Sequence, residues 1–229
     1  GDAHLKTMVE SGIRSDLKYL SYQLLPHIIK DQTTYIKLSD GQLLPLEFFG
    51  AHNLMNMEAA RLVCKQIGIE TDAFYQAIST FKGAARRLEV FYKDDTRVVF
   101  RDFAHSPSKL KATIEAVTQQ FPDRNIACLM ELHTFSSLNK DFLPQYVGCM
   151  NNAKEAVVYY NPETISHKKL PSISAKDIKD AFQHPALRVI SDLDELKLYI
   201  QSLRNDNRSV LLMSSGNWGG TDIAGIFKV

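Results

Sequence analysis

Five short runs of this sequence carry residue types that can do chemistry. Gly50-Ala51-His52-Asn53-Leu54-Met55-Asn56 holds an imidazole and two carboxamides, groups able to hydrogen-bond a planar heterocycle. Asn53 and Asn56 are three apart and share a helix face. The same run also reads as a capped helix with a turn glycine and a satisfied histidine, and spacing alone modestly favours that. Arg86-Arg87-Leu88-Glu89 sets two permanently charged guanidinium groups side by side, suited to a phosphate or a carboxylate; taken alone, the run favours a solvated linker with a salt bridge to Glu89. Arg101-Asp102-Phe103-Ala104-His105-Ser106-Pro107 puts an Asp and a His between an apolar strand and a helix, where α/β enzymes place working groups. There Asp102 can orient a ribose hydroxyl or a water of the second layer and His105 can bond a substrate anion; the plain alternative is a turn cap, but position and chemistry agree and slightly favour function. In Glu131–Lys140, His133 and Lys140 can receive an anionic substrate beside Ser136. No G-x-S-x-G elbow and no carboxylate completing a triad accompany that serine and histidine, so a hydrolase is discounted. Gly216-Asn217-Trp218-Gly219-Gly220 allows close backbone approach to a ligand that Asn217 and Trp218 would contact, or is an ordinary loop.

These runs need elements to hold them. A helix is expected over roughly residues 15–30, then a hairpin of strands Thr34–Leu38 and Leu43–Phe49 around Ser39-Asp40-Gly41. Apolar spacing places a helix over Asn53–Ile67 with Asn53 as its N-cap and Gly68 as its stop, and a second helix over Asp72–Phe81. Gly83-Ala84-Ala85 reads as a linker, so the expected domains are residues 1–83 and 84–229. Beyond it, strands are expected at Leu88–Tyr92, Arg97–Arg101, Asn125–Met130, Glu155–Tyr160, Leu187–Ile190 and Ser209–Met213. Helices are expected at Ser106–Phe121, Phe142–Asn151, Ser174–Phe182 and Asp192–Leu203. Apolar strands alternating with helices predict an α/β fold, Rossmann-like, with a mainly parallel sheet. Such sheets bind ligands beyond the carboxyl ends of their strands, here the loops Asp102–Pro107, Glu131–Lys140 and Ser214–Thr221.

The totals set limits. The 229 residues carry a net charge of +1, so bulk charge gives no reason to expect nucleic-acid or membrane binding. Cys64, Cys128 and Cys149 have neither C-x-x-C nor zinc-ligand spacing and read as buried thiols of a reducing compartment; with no apolar span and no signal-like start, a cytoplasmic protein is expected. No metal site is expected within the chain. G-x-x-x-x-G-K-[ST] is absent, so any nucleotide would find only part of its cradle here.

In order, the runs Gly50–Asn56, Arg86–Glu89 and Asp102–Pro107 resemble the G-x-H-N-x-x-N, R-R-x-E and D-[FY]-[AG]-H-x-P marks of the Mur ligases, a likeness covering about residues 43–221. Arg86–Val90 and Met213–Gly220 are most similar to the branch that joins UDP-N-acetylmuramate to a tripeptide; the branch that adds L-alanine is second. The resemblance implies an ATP- and Mg2+-dependent ligase of three domains. The first binds the UDP-sugar, the central one ATP, and the last, Rossmann-like one the amine. ATP converts the muramoyl carboxylate to an acyl phosphate, which the amine of a peptide or amino acid attacks. This chain would hold the tail of the central domain and the whole last domain, inactive alone without the P-loop. His52, Asn53, Asn56, Arg87 and Asp102 would contact the nucleotide. His133, Ser136, Asn217 and Trp218 would contact substrate, and His105 and Lys140 would serve catalysis. Ser106 stands where relatives often have a second His, and His133–Lys140 is poorer in Arg than usual. A folate-polyglutamate or cyanophycin ligase and a non-catalytic binding module derived from the family are the alternatives.

Overall fold

A computed structural model describes residues 3–12, 14–205 and 207–228. The first third opens with α1 (Ala3–Glu10). It then forms an antiparallel sheet of β1 (His27–Lys30), β2 (Thr33–Lys37) and β3 (Leu43–Leu46), followed by α2 (Ala51–Gln66) and α3 (Thr71–Ile78). Ile36, Leu46, Leu54, Met57 and Phe74 bury themselves between this sheet and its helices.

The remainder builds a six-stranded sheet in the order β4-β5-β9-β6-β7-β8. Its strands are β4 (Glu89–Lys93), β5 (Arg97–Asp102), β6 (Asn125–Leu132), β7 (Glu155–Tyr160), β8 (Leu187–Ile190) and β9 (Arg208–Met213). Only β4 runs antiparallel, in a hairpin with β5 bulged between Val90 and Tyr92. At its turn Asp94 accepts from Thr96 N, Arg97 N and the Arg97 guanidinium, which holds its carboxyl well below the usual range. Helices α4 (Pro107–Gln120) and α6 (Ala175–Phe182) cover one face, where Leu110, Ile114 and Val117 meet Phe100 and Cys128. Helix α7 (Leu193–Ser202) covers the other, where Leu196 and Ile200 meet Val99, Leu129 and Val210. Such two-sided burial is what near-continuous apolar strands require. Helix α5 (Pro162–His167) follows β7 and had no counterpart in the sequence reading.

Three expectations are corrected. Residues 15–26 form no helix, and 27–30 are strand instead: Pro26 supplies no N–H, its carbonyl accepts from Lys37 N, and Ile28 and Ile29 pair with β2. Residues 142–151 hold only a 3-10 turn, Leu143–Tyr146, because Gly148 turns the chain at φ 70° while Tyr146 stacks on Phe182 at 4.9 Å. Asn53 is not the N-cap of α2. Gly50 is, at φ 92°, and Asn53 Nδ2 reaches back to donate to Phe49 O at 2.9 Å. The cap at Ser174 forms as expected, as a reciprocal capping box with Asp177. The cysteines are free, Cys128 and Cys149 buried and Cys64 half-buried.

Candidate functional site

Strand order decides which loops meet. Because β9 lies between β5 and β6, the loops that leave their carboxyl ends, Asp102–Pro107, Ser214–Thr221 and Glu131–Lys140, are neighbours. On the α4 face, the first of these loops approaches the start of α2 and the linker. There His52, Asn53, Asn56, Arg87 and Asp102 line one cavity of about 330 Å3, together with Ser108, Lys109 and Thr113. A second, larger cavity of about 720 Å3 shares Asn53, Asn56 and Arg87, and is walled by Phe48, Met57, Ile78, Phe81 and Val90.

Two groups in the first cavity are electrostatically unusual. His52 Nδ1 is buried without a hydrogen-bond partner, and burial lowers the imidazole pKa, which favours the neutral ring. Burial pushes the Asp102 carboxyl up, partly offset by the N–H groups of Ala104 and Leu88, the Thr113 hydroxyl and the Arg87 charge. Leu88 N and Ala104 N donate to the two oxygens of Asp102, each at 2.6 Å, and Phe103 N donates to Arg86 O at 2.7 Å. Asp102 therefore ties the linker to the loop after β5, a positional role beside the ligand contact expected of it.

The remaining candidates are dispersed. His105 lies outside these cavity walls; its Nδ1 is 2.9 Å from Phe103 O, and its carbonyl accepts from Tyr146 Oη. Lys140 is exposed and pairs with Asp177 at 2.7 Å, tethering its loop to α6. Ser136 is exposed, 3.1 Å from the Thr134 hydroxyl. His133 packs over Gly216, with Nδ1 3.7 Å from Glu131 Oε1. Asn217 and Trp218 line a third cavity, of about 370 Å3, on the α7 face, with Arg86, Arg101, Leu212 and Asp222. The Trp218 ring is buried and stacked on Tyr159.

Two residues that organise the site escaped the sequence reading. Glu131 is 2 % exposed; its Oε2 accepts from Trp218 N at 3.0 Å and from the Ser214 hydroxyl. A carboxylate in the apolar run Ile126–Leu132 was the available signal, since a buried charge demands partners. Arg101, at the end of an apolar strand, was the other.

The fold and this meeting of linker, helix start and strand-end loops define a class. Residues 86–216 match the family model described as Mur ligase, glutamate ligase domain, and the chain belongs to the Mur ligase family. It is 35 % identical over 153 residues to the UDP-N-acetylmuramate–L-alanine ligase of Lactobacillus delbrueckii subsp. bulgaricus, covering 66 % of this chain and 33 % of that protein. Among solved structures it is similar to the UDP-N-acetylmuramate-alanine ligase of Thermotoga maritima, with TM-score 0.68, 19 % identity, and coverage of 93 % of this chain and 46 % of that one. It is also similar to the MurF ligase of the same organism in complex with ADP, with TM-score 0.62, 16 % identity, and coverage of 89 % and 45 %. The chain spans well under half the length of the curated relatives it matches. No helix among the described residues is long and apolar enough to cross a membrane.

Proposed function

We propose that this chain supplies one wall of the nucleotide site, and the amine-receiving domain, of an ATP-dependent ligase that joins UDP-N-acetylmuramate to an amino acid or peptide. The observation that carries the reading is the convergence of His52, Asn53, Asn56, Arg87 and Asp102 on one cavity. The donor set fits a nucleotide: neutral His52 and the two carboxamides can bond a base edge, Arg87 and Lys109 can face phosphate oxygens, and the adjoining apolar cavity can receive a planar ring. ATP would supply the phosphoryl group that activates the carboxylate, while these side chains bind and orient it. In this reading residues 1–83 are the end of the central ATP-binding domain and residues 84–229 the last domain. In this reading most ligands of Mg2+ lie outside this chain, the ion being held by one or two carboxylates together with phosphate oxygens. Residues Arg86–Val90 and Met213–Gly220 favour a tripeptide as acceptor, whereas the L-alanine ligases among the relatives favour L-alanine.

Titration of the labelled chain with Mg-ADP, followed by amide NMR, tests the nucleotide wall. Shifts should concentrate at His52, Asn53, Asn56, Arg87 and Asp102, and His52→Ala or Asn56→Ala should weaken binding about tenfold. Saturable shifts centred elsewhere, or variants that bind as the parent does, would remove the assignment.

A further inference from the structure

The larger of the two cavities at the nucleotide wall exceeds what a nucleotide base fills. It measures about 720 Å3, a volume that suits a whole drug-sized ligand rather than one purine ring. One stripe of α2 runs along it: Asn53, Asn56, Met57 and Ala60 follow each other at helical spacing and all belong to its lining. From Asn53 to Ala60 the helix rises about 10 Å. The stripe changes character on the way. Asn53 donates through Nδ2 to Phe49 O at 2.9 Å and keeps Oδ1 as an acceptor, and the Asn56 carboxamide has no hydrogen-bond partner among the described residues. Beyond them come only the Met57 and Ala60 side chains, and Ala60 is the smallest group of the lining after Gly83 apart from its alanine neighbours in the linker.

The walls opposite Met57 and Ala60 are apolar too. Phe48 follows β3, Ile78 closes α3 and Val90 stands on β4. Phe81 meets Phe48 edge to face at 5.9 Å. Phe81 and Val90 are nevertheless 48 % and 52 % exposed, so this end of the cavity leaves apolar surface bare, and covering it with an apolar group is favourable. The charged groups of the lining are Glu47, Glu89, Lys82 and Arg87, two of each sign, which gives no net preference to a charged substituent.

We propose that the end of this cavity beyond Asn56 is a separate apolar subsite, and that the chain accepts adenine nucleotides carrying an aromatic group on the base amine. The inference rests on the nucleotide reading of the wall and adds to it that the base amine faces open, apolar space. A base bonded by Asn53 and Asn56 turns the edge that carries its amine along the α2 stripe, and one substituent on that amine leaves one N–H to donate to a carboxamide.

The labelled chain is titrated with Mg-ADP and with the same nucleotide benzylated on its base amine, followed by amide NMR, for the parent, Ala60→Leu and Phe81→Ala. The benzylated nucleotide should bind the parent about tenfold more tightly than ADP, with added shifts at Ala60, Phe81 and Val90. Ala60 is exposed on α2 and leucine is a strong helix former, so Ala60→Leu keeps the fold while filling the subsite. ADP should bind that variant as it binds the parent, and the benzyl advantage should vanish. Phe81→Ala should reduce the advantage to about threefold or less. Equal or weaker binding of the benzylated nucleotide by the parent overturns the inference, and ADP shifts at His52 and Asn53 in the same titration would leave the nucleotide wall standing. A benzyl advantage that survives Ala60→Leu puts the ring outside this cavity and overturns the inference as well. No saturable response to either nucleotide up to about 10 mM removes the wall and the subsite together.

Discussion

At the scale of single residues, His52 combines a buried, unpartnered Nδ1 with a pKa lowered by burial from its ordinary value of 6.5. The sign of its effect follows. As pH falls, the unfolded chain takes up the proton first, so protonation favours unfolding. The stability tied to neutral His52 is whole above about pH 6.5 and is lost as pH drops through the folded-state value. His52→Gln removes the titrating group. Urea unfolding of parent and variant between about pH 7.5 and pH 5.5 should show the parent losing more stability than the variant on acidification. Equal losses would mean that His52 is protonated with little penalty, and its assignment as a neutral base-contacting group would fall with it.

At the scale of elements, what the sequence revealed was whatever depends on local pattern. Leu110, Ile114 and Val117 recur at helical spacing and form the buried stripe of α4. The run Asn125–Met130 is a fully enclosed strand but for its first residue. What stayed hidden depends on distant partners. Nothing local says that β9 inserts between β5 and β6, yet that insertion brings the three strand-end loops together. The expected helix over residues 142–151 failed for a related reason: Tyr146 is claimed by Phe182 and His105, which are remote in sequence. At the site, the five nucleotide candidates were legible as motifs, whereas Glu131 and Arg101 gain meaning only from Trp218, Ser214 and Phe91. The junction of α2 with α4 is equally non-local. Gly50 turns the chain at φ 92°, and a Cβ there would lie 2.7 Å from the Ala116 Cβ. Gly50→Ala should therefore cost about 2–4 kcal/mol, from left-handed strain plus overpacking, measured as a lower urea midpoint. A loss under about 0.5 kcal/mol would show that the two helices part freely.

At the scale of the whole molecule, the small core of the first part meets the two cores that flank the six-stranded sheet at a junction built by a few side chains. Phe49 reaches from the first part to meet Phe100 at 5.6 Å and Phe121 at 6.0 Å. Beside it, the buried Thr34 hydroxyl donates to Gln120 Oε1 at 2.9 Å, and Gln120 Nε2 donates to Gln32 O at 2.7 Å. The cavity proposed to receive a nucleotide borders this same junction, so its shape depends on these contacts. Apart from its own core, the three-stranded sheet and the chain before it leave Leu17, Tyr19, Leu20, Tyr22, Leu24, Ile28 and Ile29 exposed, an apolar surface that favours association. Gln120→Leu keeps the volume of the junction roughly constant but leaves a buried hydroxyl and a carbonyl without partners, at a cost of about 1–3 kcal/mol. Because Ile36 and Leu46 belong to a core distinct from that of β6 and β9, the cost should fall on local opening of the small sheet. Amide hydrogen exchange should accelerate about 5- to 100-fold at Tyr35 and Ile36 while Leu129 and Leu211 keep their rates. Equal acceleration at all four would mean that the halves open as one cooperative body, and the nucleotide wall would then be as rigid as the sheet that carries it.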